Sequence, residues 1–219
     1  MSLAVVYARA KVGIDAPLVH VETHLSNGLP AFSIVGLPET AVKESKDRVR
    51  SAILNSNFEF PASRITVNLA PADLPKEGGR FDLAIALGIL AASGQIPSKP
   101  LDQYEFLGEL ALTGALRKVD GVIPAALVAG KAGRQLILPT CNQQEASLTC
   151  GNHLIANHLL QVCAHLCGEG GLDNAPPLEA QTEIYQGPDL AQVKGQQHAK
   201  RALEITAAGS HNLLSNIYS

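Results

Sequence analysis

The stretch RITVNLAPADLPKEGGRFDLAIALGILAAS, residues 64–93, decides the fold. Arg64–Leu69 alternates polar and apolar side chains, the period of a half-buried strand, and stops at Ala70-Pro71. A polar loop with paired glycines follows over Asp73–Arg80. Phe81–Ser93 is then almost continuously apolar (LAIALGILAA), so the helix it predicts is buried on most sides rather than along one stripe. A strand that feeds a buried helix through a charged loop points to a layered α/β domain.

Working outward, Leu3–Ala8 reads as a strand. Pro17–Leu25 and Ala31–Val35 read as a hairpin around Ser26-Asn27-Gly28, because Asn-Gly supplies the positive φ angles of a tight turn. Pro38 suits a helix start, with Glu39 favourable in the first turn, and the helix runs to about Asn55. Val42, Val49, Ala52 and Ile53 mark its apolar stripe. Beyond residue 93, Glu105–Leu110 and Ala115–Val119 read as strands around Thr113-Gly114, followed by a helix over Ile123–Ala132 and a strand over Gln135–Leu138. Further short pieces finish the domain near Cys167. Strands that alternate with helices predict a mixed-sheet α/β fold, not a sandwich or a bundle.

Composition bounds the function. The chain has 219 residues, 46% hydrophobic, 17% charged and 4% aromatic, with a formal net charge of −3. That charge excludes a strongly basic nucleic-acid binder in bulk but leaves local patches open. No apolar run approaches the roughly 18–20 residues of a membrane span. Leu3–Ala8 is too short for a signal sequence, and Arg9 and Lys11 follow it rather than precede it, so the expectation is a soluble cytoplasmic protein with no membrane partner. The charge is uneven. Residues 1–167 carry 14 acidic and 14 basic side chains, whereas 168–190 carry five acids and no Lys or Arg among many Gly and Pro. The second stretch reads as a linker, since it cannot bury enough surface to offset its ordering entropy. Residues 191–214 then open a second module, with a helix over Gln192–Ala208, and 215–219 read as a non-native tail.

Several constellations invite a chemical reading. His20, Glu22 and His24 share one face of a strand, as a divalent metal site would need, or as the solvent face of a hairpin would allow. Cys141, Cys150, Cys163 and Cys167 stand near His153, His158 and His165, yet lack the C-x2-C knuckle of most structural zinc sites and read as free thiols. His153, His158, His165 and His198 have no partner at catalytic spacing. Lys43, Lys46, Arg48 and Arg50, with Arg64, form the densest basic cluster. Phosphate contact is one reading. The other is a solvated helix face satisfied by the i, i+4 pairs Glu39–Lys43, Lys43–Asp47 and Glu44–Arg48. The loop at 71–82 places Lys76 and Arg80 beside Gly78-Gly79 at a helix start, where an anion is favoured.

Phe32–Leu90, Phe106–Gly133 and Asp189–Leu214 together resemble the ComM/YifB family of magnesium chelatase-like AAA+ ATPases. The resemblance implies a hexameric, cytoplasmic, ATP- and Mg-dependent motor that migrates DNA branches during natural transformation. It implies for this chain a Lon protease-like N-terminal domain of the ribosomal protein S5 domain 2-like fold, serving assembly or DNA contact. The family's phosphate-binding G-x-x-x-x-G-K-[ST] does not occur in these residues, so ATP hydrolysis by this chain alone is not expected. Lon-type proteases carry a serine in a P-K-D-G-P-S-A-G loop and a lysine in a later G-G-L-K turn. Here Pro75–Asp82 places Arg80 at the serine position, and Asp120–Ile123 places Ile123 at the lysine position. Neither side chain can do the work of the one it replaces, so no catalytic, cofactor or metal residue is expected. A hydrolase that used Ser93 or the Ser98-Lys99 pair, or a metal-chelatase subunit, are the alternatives.

Overall fold

The structure, a computed structural model, describes residues 2–36, 40–76, 78–149, 151–176 and 189–214, without the side chains of 41–43. Chain contacts divide it into two units, Met1–Leu178 and Glu179–Ser219. In the first unit β1 (Ser2–Arg9), β2 (Leu18–Ser26), β3 (Ala31–Val35), α1 (Thr40–Asn55), β4 (Arg64–Ala70) and α2 (Asp82–Ala92) come first. After them follow β5 (Tyr104–Phe106), β6 (Glu109–Leu110), β7 (Leu116–Arg117), α3 (Val122–Lys131) and β8 (Gln135–Pro139). The last are α4 (Gln143–Ser147), β9 (Leu154–Ala156), α5 (Leu159–Cys167) and β10 (Asp173–Asn174). Eight strands make one mixed sheet in the order β10-β9-β8-β5-β1-β2-β4-β3, and β6 pairs with β7 apart from it. The expected mixed α/β class is the observed one.

One strand pairing differs from the sequence reading. β2 and β3 do not form a hairpin: β4 lies between them, antiparallel to β2 and parallel to β3. The Asn-Gly turn is compatible with either arrangement, and burial decides. β4 contributes Ile65, Val67 and Leu69, all fully buried, whereas β3 buries only Ile34. The strand with more apolar surface takes the interior position, and β3 takes the edge. The hairpin that does form joins β1 to β2, in full register from Ser2 opposite Leu25 to Arg9 opposite Leu18.

α2 lies against β1 and β2 and belongs to the main core, with ten of its eleven residues buried. Its closest approach is at Gly88, where a Cβ would fall 2.4 Å from Thr23 Oγ1. α1 brings Val49, Ala52 and Ile53 into the same core; the side chain of Val42, like Pro38 and Glu39, lies outside the described residues. A second cluster joins Val122, Ala125, Ala126 and Ala129 of α3 to Leu136 and Leu138 of β8. Where β1 meets β5, Arg9 grips the buried Glu105 with Nε and Nη2, each at 2.6 Å, and donates through Nη1 to the Ala16 carbonyl at 3.0 Å. Arg134 adds a contact to Glu105 at 3.5 Å and lies 4.1 Å over the Tyr7 ring.

The sheet runs past the expected domain end at residue 167. Asp173 and Asn174 pair with Ile155 and Leu154, and the Ala175 N–H donates to the His153 carbonyl at 2.8 Å. Backbone pairing does not depend on the acidic, glycine-rich composition that makes 168–190 read as linker. Residues 177–188 lie outside the described residues, as does 215–219. In the second unit the helix α6 spans Gln197–Gly209 instead of Gln192–Ala208. Gly195 (φ +72°) and Gln196 (φ +56°) are left-handed, so helical geometry starts only after them. Among the described residues no helix is long and apolar enough to cross a membrane.

Two further buried polar groups stand out in the first unit. Asp82, the first residue of α2, is fully buried and holds Arg48 of α1 through Nε at 2.8 Å and Nη2 at 3.4 Å. It also accepts the Leu110 N–H of β6 at 3.3 Å. Burial pushes the Asp82 carboxyl above its ordinary range, against the pull of Arg48, while the hydrogen bond to Asp82 raises Arg48. Arg48→Ala leaves this carboxylate without its counter-charge and is expected to cost about 3 kcal/mol of unfolding free energy in a urea titration. A loss below about 1 kcal/mol would show that the pair contributes little.

The second group is His153, 1% exposed. Thr149 Oγ1 donates to the Ala146 carbonyl at 2.7 Å, so it accepts from His153 Nε2 at 2.9 Å and leaves Nδ1 bare, with no partner among the described residues. Burial lowers the pKa of this ring below the ordinary histidine value. The unfolded chain therefore takes up a proton near the ordinary histidine value, about pH 6.5, before the folded chain does. Stability is complete above that pH and declines as the pH falls below it. Urea midpoints measured from about pH 7.5 down to about pH 5 should fall more steeply for the parent than for His153→Gln. Equal slopes would contradict the assignment.

Candidate functional site

The loop from β4 to α2 and the turn before α3 meet at one place. The first carries Gly78, Gly79 and Arg80; the second carries Lys118, Val119 and Asp120. Arg80 is 6% exposed and its Nη1 donates to the Asp120 carbonyl at 3.3 Å, a direct bond between the two loops. Gly121 follows at φ +67° and caps α3 in a conformation that favours glycine. The aliphatic stem of Lys11 crosses over it, with Cδ 3.2 Å from where a Cβ would stand. Between the loops lies a cleft of about 290 Å³. Lys11, Arg80 and Lys118 line it with Glu109 and Asp120, three cations against two carboxylates. Lys118 also reaches Glu145 at 3.1 Å, and Glu109 pairs loosely with Arg117 at 3.7 Å.

The arrangement brings together the two loops that the resemblance matches to the Lon-type dyad loops. In that match Arg80 stands at the serine position. Ile123, at the lysine position, sits half-buried in the first turn of α3. A guanidinium cannot attack a carbonyl and an isoleucine cannot accept its proton, so this cleft can bind but has no nucleophile at the expected place. Ser93 offers no substitute. It stands just past the far end of α2, eleven residues and roughly 16 Å along the helix from Asp82, where its Oγ donates to the Leu90 carbonyl at 3.1 Å. Ser98 precedes a 3-10 turn at Lys99–Gln103 and does not line the cleft.

Lys76, expected beside Arg80 as an anion contact, is not in the cleft. Its side chain is fully buried, and Nζ donates to the carbonyls of Pro71 and, at 3.1 Å, of Leu74. Burial lowers its pKa, against the attraction of Asp73. The lysine satisfies carbonyls that its own tight loop turns inward, a structural duty that no sequence pattern announces. Glu77 lies outside the described residues.

The basic cluster on α1 also disperses. Arg48 faces inward to Asp82 and not along the helix to Glu44 alone. Arg50 lies 4.7 Å over the Phe60 ring, Lys46 is half-buried, and Arg64 is exposed at the start of β4. The Lys43 side chain lies outside the described residues.

His20, Glu22 and His24 do share the outer face of β2, as the strand period requires. Their partners are local: the His20 ring meets Tyr7 edge-on at 5.3 Å, and Glu22 accepts from Asn68 Nδ2 at 2.8 Å. Among the described residues no group of three or more His, Cys, Asp or Glu is placed to hold a metal ion. Cys141, Cys163 and Cys167 are free, and Cys150 lies outside the described residues. Burial, with Cys167 nearby, pushes the Cys163 thiol up to about 12, so it stays protonated and inert. His158 caps α5 by accepting the Leu160 N–H at 3.2 Å, and His165 Nε2 lies 3.0 Å from the Tyr104 hydroxyl. The exposed His198 lies on α6.

Sequence reasoning missed Lys11, Lys118, Glu109 and Asp120. They lie in three separate stretches, at residue 11, at residue 109 and at residues 118–120, and only the topology assembles them. The one local signal is Asp120-Gly121 before an apolar helix, the mark of a left-handed cap.

A family model described as subunit ChlI of Mg-chelatase matches residues 21–142, which include both cleft loops. A second, described as magnesium chelatase, subunit ChlI, matches residues 189–216. The chain is 58% identical over 219 residues to the competence protein ComM of Haemophilus influenzae, covering 98% of this chain and 43% of that protein. It is 56% identical over 215 residues to YifB of Escherichia coli K12, covering 98% of this chain and 42% of that protein. A weaker likeness, 26% identity over 149 residues, joins 64% of this chain to 18% of the Lon protease of Methanosarcina barkeri, in keeping with the Lon-like placement of the two loops. The chain thus spans well under half the length of ComM and YifB. With more than half of its residues under the first model, the chain belongs to the ChlI family of magnesium chelatase-like proteins, together with YifB and ComM.

Proposed function

We propose that the first unit is a non-catalytic accessory domain of a hexameric magnesium chelatase-like AAA+ ATPase, and that its cleft binds the phosphate backbone of DNA. The observation that carries this reading is Arg80 in the nucleophile position, bonded to Asp120 across the cleft. A protease-like cleft that has exchanged its nucleophile for a guanidinium, flanked by Lys11 and Lys118, retains the shape for binding an extended polymer and gains charge for a polyanion. ATP and Mg chemistry would belong to parts of the relatives beyond the 42–43% matched here. ComM is named a competence protein; in our reading the whole motor migrates DNA branches during natural transformation, in the cytoplasm.

The exposed cations of the cleft are Lys11 and Lys118, and the buried Lys76 is not among its lining residues. Binding of branched DNA by the 219-residue chain should weaken as salt rises. In a Lys11→Ala/Lys118→Ala double variant the log–log salt slope should drop by about two. An unchanged slope and an unchanged affinity would remove the cleft from the interface.

A further inference from the structure

A second pocket, of about 150 Å³, lies away from the cleft residues, where the α1–β4 connection folds against β3. Its walls are Phe32, Phe60, Pro30 and Pro61, and Arg50 and Ser63 supply its polar groups. The two phenyl rings stand 5.9 Å apart and tilted by 54°, and the Arg50 guanidinium covers the Phe60 face at 4.7 Å. Ser63 Oγ is buried and has no hydrogen-bond partner among the described residues. A buried hydroxyl in this state costs stability unless a water or a ligand completes it. The exposed Arg64 follows it directly, and Lys46 stands one helical turn before Arg50. Glu59 and Asp47 are the acidic neighbours in sequence; both are exposed, and neither lines the pocket.

These features select a ligand. Facing apolar and aromatic walls take a flat ring. An orphan hydroxyl calls for a polar ring edge, which an aliphatic or phenyl side chain lacks. Arg50 in the pocket wall calls for an anion attached to that ring. We propose that this pocket receives one unpaired nucleobase of single-stranded nucleic acid, stacked against the Phe60–Arg50 pair and hydrogen-bonded to Ser63, with the adjoining phosphate attracted by Arg50. A duplex keeps its bases stacked and paired, so the pocket reads single strands, where stacking on aromatic rings adds to the attraction of the backbone. The proposal rests on the nucleic-acid reading above and assigns a surface, a strand state and a base contact that the cleft does not supply.

The test uses the 219-residue chain with two fluorescent probes of equal length, an oligothymidylate and an abasic strand of the same phosphate backbone. The parent should bind the oligothymidylate about tenfold more tightly than the abasic strand. Phe60→Leu keeps apolar volume in the wall and should abolish that preference without weakening abasic binding. Ser63→Ala, which removes no packing volume of consequence, should reduce the preference in the same direction. Lys11→Ala/Lys118→Ala should weaken both probes alike. Equal binding of the two probes by the parent would overturn the base pocket and leave the cleft reading standing. A preference that survives both Phe60→Leu and Ser63→Ala would also overturn it. Binding of neither probe would overturn both readings.

Discussion

A carboxylate buried at the start of a helix organises this domain. Asp82 is wholly enclosed, and three elements converge on it: α1 through Arg48, β6 through the Leu110 N–H, and α2 through its own first turn. A charge in such a place is costly unless each lone pair finds a donor. The surrounding backbone therefore has little freedom. Position α2 differently and the pair opens; move β6 and a donor is lost. Arg80 and Gly79 directly precede this anchor, so the loop that enters the cleft inherits its placement. The Arg80 carbonyl accepts the Gly108 N–H at 3.1 Å and the Gly79 carbonyl accepts the Asp82 N–H at 2.9 Å, which fixes the loop on both sides.

From that anchor the cleft follows with few further requirements. Arg80 reaches Asp120, Gly121 turns the chain into α3, and Lys11 arrives from the end of β1. The same loop spends its other cation on itself, since Lys76 is committed to the carbonyls of Pro71 and Leu74. Lysines and arginines thus divide into two kinds here. Arg9, Arg48 and Lys76 are interior ties, while Lys11, Lys118, Arg50 and Arg64 remain at surfaces where an anion can meet them.

Much of the fold is legible in the sequence because one signal is unambiguous. An apolar run such as Leu83–Ala92 can only be a buried element, and its length makes it a helix. Alternation marks β2 and β4 equally well, and a short apolar run marks β1. Pairing is another matter. Ser26-Asn27-Gly28 says that the chain turns, but it cannot say that β4 arrives later and separates the two arms of that turn, because sheet order is set by burial between segments far apart in sequence. Charges fail for a related reason. Arg48 sits four residues from Glu44 and yet turns to Asp82, 34 residues away, since an interior carboxylate needs its partner more than a solvated one does. Arg80 and Ile123 were identifiable as replacements only through the resemblance to Lon-type loops; the cations that accompany Arg80 were not.

The cleft between the Arg80 and Asp120 loops is the surface proposed to bind DNA. Its most direct measurement is an amide chemical-shift titration of the 219-residue chain with branched DNA. Shifts concentrated at Gly78, Gly79, Arg80, Asp120 and Gly121 are the predicted result. Binding that moves other amides and leaves these five still would contradict it.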